Sequence, residues 1–189
     1  MTTQQATSIG YIGGTGNHGM SLCLPWKSIH VTDTGQPHAD AADFSSVTTK
    51  KEAYISLLQS LRALTQDTRN WVANTANTSS LLWHLFHAQP SPSSAVNWAG
   101  FYVLDATDPS HLVLGPFHGK VACQLIKVGR GVCGTVAAQG RSVVVPDVEK
   151  FPGHIACDGE TKSEIVVPIM SNDKVKRRSS RPGSLGRTD

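Results

Sequence analysis

The hydrophobic period of this chain changes once, near Asn97, from helical to alternating, and that change limits the folds open to it. Before it, Tyr54, Leu57, Leu58, Leu61 and Leu64 recur at the spacing of one helix face. Thr49 and Glu52 stand as a capping box at the start, so a helix is predicted over 49–66. A second helix is predicted over 70–88. Trp71, Val72, Thr75 and Ala76 open it, Leu81, Leu82, Leu85 and Phe86 continue it, and Pro90 and Pro92 end it. The Gln-Asp-Thr-Arg-Asn stretch between them supplies a turn and a cap.

After Asn97 the apolar residues alternate in short runs. Trp98–Leu104 and His111–Phe117 read as two strands joined by a hairpin loop at 105–110. A third strand is predicted over Cys123–Val128, a short Ala-rich helix over Val132–Gln139 with Gly140 as its stop, and a fourth strand over Ser142–Val145. A loop follows over 148–162, then a fifth strand over Glu164–Met170. Ser171-Asn-Asp-Lys reads as a hairpin turn. Two helices followed by an antiparallel sheet with one short helix in it define an α+β class.

The flanks differ from this middle. Residues 1–45 are rich in Gly, Thr, Ser and His with no sustained apolar period, and are expected to be a disordered leader. Residues 176–189 form a basic, low-complexity tail, which leaves 46–175 as the folded domain. The net charge of +3 comes from that end: residues 174–189 hold six basic side chains and one acid, so the preceding 173 residues carry −2. The folded part therefore gives no reason to expect nucleic-acid binding. The chain has no apolar run long enough for a membrane span. It has no Lys or Arg before Lys27, unlike secretory or mitochondrial leaders, so a cytoplasmic location is expected.

Of the four cysteines, Cys23 lies in the leader, and Cys123, Cys133 and Cys157 lie in the sheet half. Cys133 starts the short helix, where free amides favour a thiolate. Its neighbours Val132 and Val136 equally fit a packed, inert residue. Cys157 stands in the polar stretch His154-Ile-Ala-Cys-Asp-Gly, where access by solutes is expected. A thiol redox centre is one reading and ordinary small packed residues are another, and spacing alone leaves that choice open. A zinc site with His154 is a weaker one, because no Cys-x2-Cys pair is present, and no metal is expected.

The words around these cysteines carry more. Asn97-Trp-Ala-Gly-Phe-Tyr, Gly115-Pro-Phe-His-Gly-Lys-Val-Ala-Cys123, Gly129-Arg-Gly-Val-Cys133-Gly-Thr-Val-Ala, Val145-Pro-Asp-Val-Glu-Lys-Phe-Pro-Gly-His-Ile-Ala-Cys157-Asp and Ser163-Glu-Ile-Val-Val-Pro-Ile follow one another in order. This series, from about residue 48 to 175, resembles the free methionine-(R)-sulfoxide reductases. Those enzymes are GAF domains that act on the free amino acid. The cysteine separations of ten and 24 residues match that family as well. The resemblance implies a GAF-like fold, with amino-terminal helices packed on a central antiparallel sheet.

It also implies a chemistry. A cysteine thiolate attacks the sulfoxide sulfur, methionine leaves, and the resulting sulfenic acid condenses with a second cysteine to a disulfide. Thioredoxin would restore the dithiol, and no metal or organic cofactor is needed. The resemblance offers Cys157 or Cys133 as the attacking residue. The polar loop favours Cys157, with Cys123 resolving. Trp98 and Tyr102, four apart and so on one strand face, would line the methyl end of the substrate, although alternating core positions would look the same. Ile155 and Glu164 would lie near the sulfoxide and the polar end. An edge position facing water is the other reading of Glu164. A homodimer is compatible with the resemblance.

The chain departs from the family after Val175. There the family continues into a strand with an Asp-x-Asp pair and a closing helix. Here the aligned positions fall at about Ser180 and Pro182, in Lys176-Arg-Arg-Ser-Ser-Arg-Pro. The last strand and closing helix are expected to be missing. A non-catalytic GAF module that binds a small molecule is therefore the alternative to an active reductase.

Overall fold

The capping box at Thr49 starts the first helix as the sequence predicts. In the computed structural model, which describes residues 6–12, 42–47, 49–155, 159–171 and 174–175, Thr49 Oγ1 accepts from Glu52 N at 3.2 Å and Glu52 Oε2 accepts from Thr49 N at 3.1 Å. This helix, α1, spans Lys50–Thr65. It buries Ala53, Leu57 and Ser60. Tyr54 and Leu58, expected on the apolar face, are instead exposed. The small residues Ala53 and Ser60 let α1 approach its neighbour, which turns the buried stripe away from those two. Helix α2, Trp71–His87, is capped by Asn70, whose Oδ1 accepts from Val72 N and Ala73 N, and it buries Leu81, Leu82, Leu85 and Phe86.

A six-stranded sheet follows: β1 Ala6–Ile12, β2 Trp98–Leu104, β3 His111–Gly119, β4 Leu125–Lys127, β5 Val143–Val145 and β6 Thr161–Pro168, in the order β4-β3-β2-β1-β6-β5. Helix α3, Gly131–Gln139, lies between β4 and β5 in sequence and ends on Gly140 in the left-handed conformation (φ 64°). Glycine suits that residue because a Cβ is disfavoured there. Gly134 is required for a different reason: a Cβ on it would stand 2.3 Å from Lys127 O, so a side chain would push α3 off β4. A short hairpin of β7, Met170–Ser171, and β8, Lys174–Val175, closes the described part, as the turn at 171–174 predicts.

Two features go beyond the expected fold. The first concerns the leader: residues 6–12 form β1 in the middle of the sheet, and Phe44 is 2% exposed within the helix-side core. The folded unit thus reaches back beyond residue 46. The run Thr7, Ile9, Tyr11 against Ser8, Gly10 is an alternating pattern, short enough to be lost among the surrounding Gly and Thr. The second concerns direction. The sheet is antiparallel as expected at every other pairing, but β1 runs parallel to both β2 and β6. The remaining expected leader and the tail 176–189 lie outside the described residues.

The sheet separates two apolar layers. On one face Leu81, Leu82, Leu85 and Phe86 of α2 and Leu57 of α1 pack with Ala99 and Ile165. On the other face Trp98, Tyr102 and Val166 pack with Val132, Cys133 and Val136 of α3. Alternation along β2 and β6 assigns each residue to its layer.

Candidate active site

The second layer stops short of closing. Between the sheet and the start of α3 lies a cleft that is partly open to solvent. Trp98 and Tyr102 of β2 form one wall, with ring centroids 6.3 Å apart and planes at 76°. Glu164 and Thr161 of β6 form another, and Gly131, Val132 and Cys133 of α3 a third. His154 and Ile155 come from the loop before β6, and Ile126 from β4. Gly131 has φ 60°, and a Cβ on it would meet Ile155 Cδ1 at 3.3 Å, so this glycine gives Ile155 its seat.

Four expected substrate residues, Trp98, Tyr102, Ile155 and Glu164, are thus brought into one cleft. Glu164 is 8% exposed, which excludes the edge position facing water. Burial raises its carboxyl to a pKa of about 7, and the hydrogen bond from Cys133 opposes that rise. Cys133 Sγ donates to Glu164 Oε1 at 3.4 Å. Burial pushes the Cys133 thiol well above its ordinary value, and the neighbouring carboxyl of Glu164 pushes it the same way. The helix start therefore does not yield a thiolate here. Desolvation outweighs the few free amides. Burial likewise raises the Tyr102 phenol, with Cys133 and Glu164 adding to it. Burial is the leading cause of the upward shift in all three acids, and a cationic group beside Glu164 would favour its ionised form.

The three cysteines part company. Cys133 is free and buried. Cys123 is disulfide-bonded, to a partner outside the described residues. Its carbonyl oxygen accepts from the Tyr102 hydroxyl at 2.7 Å, which ties the disulfide-bearing segment to the aromatic wall. Cys157 lies outside the described residues. In sequence it follows the cleft residue Ile155 by two positions. Among the described residues no three His, Cys, Asp or Glu side chains are grouped to hold a metal ion. No helix of the described residues is long and apolar enough to cross a membrane.

Sequence reasoning did not single out Thr161, Ile126, Gly131 or Val132. Thr161 is buried, and its Oγ1 accepts from Asn97 Nδ2 at 2.8 Å, joining the start of β6 to the entry of β2. The pairing spans 64 residues of sequence, so no local pattern signals it. For His154 only a metal role was weighed, and its place beside Ile155 in the cleft is a further finding.

Residues 53–176 match the GAF domain family. The chain is 55% identical over 142 residues to the free methionine-R-sulfoxide reductase of Saccharomyces cerevisiae, covering 75% of this chain and 77% of that one. A solved structure described as that of the GAF domain shares 54% identity at a TM-score of 0.67, over 76% of this chain and 79% of that one. The X-ray structure of free methionine-R-sulfoxide reductase from Neisseria meningitidis in complex with its substrate shares 41% identity at a TM-score of 0.61, over 68% and 72% of the two chains.

Proposed function

The chain belongs to the GAF domains and, among them, to the free methionine-R-sulfoxide reductase family, and from that premise we propose that it reduces free L-methionine (R)-S-oxide to L-methionine. One observation carries the reading: an aromatic wall of Trp98 and Tyr102 and the buried carboxyl of Glu164 line one cleft, beside the disulfide-bonded Cys123. A small zwitterion with a methyl group at one end needs such a cleft. The methyl and the polarised sulfur pack against aromatic rings, and the ammonium is held by an ionised Glu164. Ile155 bounds the sulfoxide end.

In the proposed reaction the Cys157 thiolate attacks the sulfoxide sulfur. The oxygen is protonated, and it ends on the cysteine sulfur as a sulfenic acid while methionine departs with its lone pair restored. The Cys123 thiol then attacks that sulfenic sulfur, a water molecule leaves, and a Cys157–Cys123 disulfide remains. An external dithiol, thioredoxin in this reading, returns two electrons and two protons. The burial of Cys133 and its raised thiol pKa support giving the attack to Cys157, since only a thiolate is nucleophilic enough. Neither a metal nor an organic cofactor takes part. Thioredoxin as donor, the cytoplasm as compartment and a homodimer as the assembled form follow from the family resemblance.

The second reading is a GAF module that binds the amino acid without turning it over. The residues after Val175 favour it, because they place Ser180 and Pro182 where the family carries acids. One assay separates the two. Purified protein is incubated with free methionine (R)-sulfoxide or its (S) epimer, thioredoxin, thioredoxin reductase and NADPH. Turnover with the (R) epimer alone is expected, and trapping of the sulfenic acid should fail in Cys157→Ser. Calorimetric binding of the (R) epimer without NADPH consumption would establish the second reading instead.

A further inference from the structure

We propose that His154 is the proton donor to the sulfoxide oxygen, a role that rests on the reductase reading. That reaction needs a donor, because the oxygen leaves methionine carrying a proton. The other protic groups of the cleft are engaged or are not acids. The Tyr102 hydroxyl donates to Cys123 O at 2.7 Å. The Cys133 thiol donates to Glu164 Oε1 at 3.4 Å. Glu164 itself is ionised against the ammonium in that reading and has no proton to give. Thr161 and Trp98 can donate a hydrogen bond but keep their protons at neutral pH. His154 lines the same cleft and is half-buried, and among the described residues its ring has no hydrogen-bond or ion-pair partner. Imidazole is also the side chain best suited to pass a proton near neutral pH.

The chain builds a fixed turn for this residue. Asp147 Oδ1 accepts from Glu149 N at 3.1 Å and starts a single 3-10 turn, Val148–Lys150. Val148 is buried in the cleft-side layer, and Phe151 packs against that layer. Gly153 then bends the backbone at φ 72°, and His154 N donates to Phe151 O at 3.1 Å. The next residue, Ile155, is seated against Gly131 and bounds the sulfoxide end in the proposed pose. His154 thus stands between two packed residues, at the end of the cleft where the proton is needed. In the step itself the Cys157 thiolate gives an electron pair to the sulfoxide sulfur, and the imidazolium N–H passes its proton to the oxygen. The protonated oxygen moves to the cysteine sulfur as a sulfenic acid, methionine leaves with the lone pair, and the neutral imidazole regains a proton from water.

Single-turnover kinetics on the full chain test this. The reduced protein is mixed with free methionine (R)-sulfoxide without any external dithiol, and methionine release is followed by rapid quench. His154→Gln should release it at least about 100-fold more slowly, with half-saturation by the sulfoxide within about threefold of wild type. In His154→Gly, added imidazole should restore the rate. The ring 1,2,4-triazole, of the same size but unprotonated at neutral pH, should not. Alkylation of Cys157 by iodoacetamide should be unchanged in both variants. A wild-type rate in His154→Gln would overturn the proposal, and so would equal rescue by imidazole and triazole, or none by either. Slowed alkylation of Cys157 would also overturn it, by setting His154 to work on the thiol instead. If the wild-type chain releases no methionine from either epimer, the reductase reading falls and this role falls with it. Release by wild type and His154→Gln at the same rate removes His154 alone.

Discussion

Glu164 and Cys133 set the electrostatics of the cleft, and each makes a measurable prediction. The Glu164 carboxyl titrates near 4.5 in an ordinary environment and near 7 in its buried one. Between these values the folded chain holds a proton that the unfolded chain has released. Stability should therefore fall as pH rises from about 4.5, with the loss complete above about 7. At roughly 1.4 kcal/mol per pKa unit, the loss is on the order of 3 kcal/mol. Glu164→Gln does not ionise and can still accept from the Cys133 thiol, so its urea midpoint should change much less between pH 5 and pH 8. Equal pH slopes in the two proteins would show that the carboxyl is not held in a low-dielectric site. For Cys133, 4% exposed and with its thiol shifted upward, alkylation by iodoacetamide at pH 7.5 should be at least about 100-fold slower than for a free cysteine peptide. Peptide mapping of the non-reduced protein measures that rate directly. The burial of Cys133 is legible in the sequence through Val132 and Val136. The resistance to ionisation that burial gives it is legible in the same way, whereas the part that Glu164 adds is not, because that carboxyl comes from a strand 31 residues away.

At the scale of elements, caps and close approaches are where single changes should tell most. Thr49→Ala removes the acceptor for Glu52 N and should cost α1 about 1 kcal/mol in urea unfolding. Gly100→Ala should cost more, about 1–3 kcal/mol, because a Cβ there would stand 2.0 Å from Phe117 Cβ across the β2–β3 pair. A Gly100→Ala protein as stable as wild type would mean that β3 can shift freely against β2. The elements legible in the sequence are those whose signal is local. The capping box gives α1, Asn70 gives the start of α2, Gly140 gives the end of α3, and alternation gives β2 and β3. β1 escapes because its pairing is decided by residues far along the chain. In isolation Ala6–Ile12 has only Ile9 and Tyr11 to mark a face. The cleft is legible to the same degree. Trp98, Tyr102, Ile155 and Glu164 stand in recognisable words, whereas Thr161, Ile126 and Gly131 join it only through tertiary packing.

For the molecule as a whole, the sheet is a common wall to both apolar layers, and this predicts that they unfold together. Leu85, 1% exposed, lies in the helix-side layer, and Val136, fully buried, lies in the cleft-side layer. Neither layer has another surface of comparable size to cover it among the described residues. Loss of one therefore bares the opposite face of strands that hold the other. Leu85→Ala should cost about 2–5 kcal/mol, and the cost should be felt on both sides of the sheet. Far-UV circular dichroism in urea reports chiefly on α1 and α2. Alkylation of Cys133 by short pulses of iodoacetamide reports on the opening of the cleft side, because that thiol is shielded in the folded protein. The two midpoints should coincide in the wild type and move down together in Leu85→Ala, even though Leu85 and Cys133 belong to different layers. If Cys133 became reactive at a urea concentration that leaves the helical signal intact, the two layers would be separate cooperative units. The cleft could then open without unfolding the helices that back it.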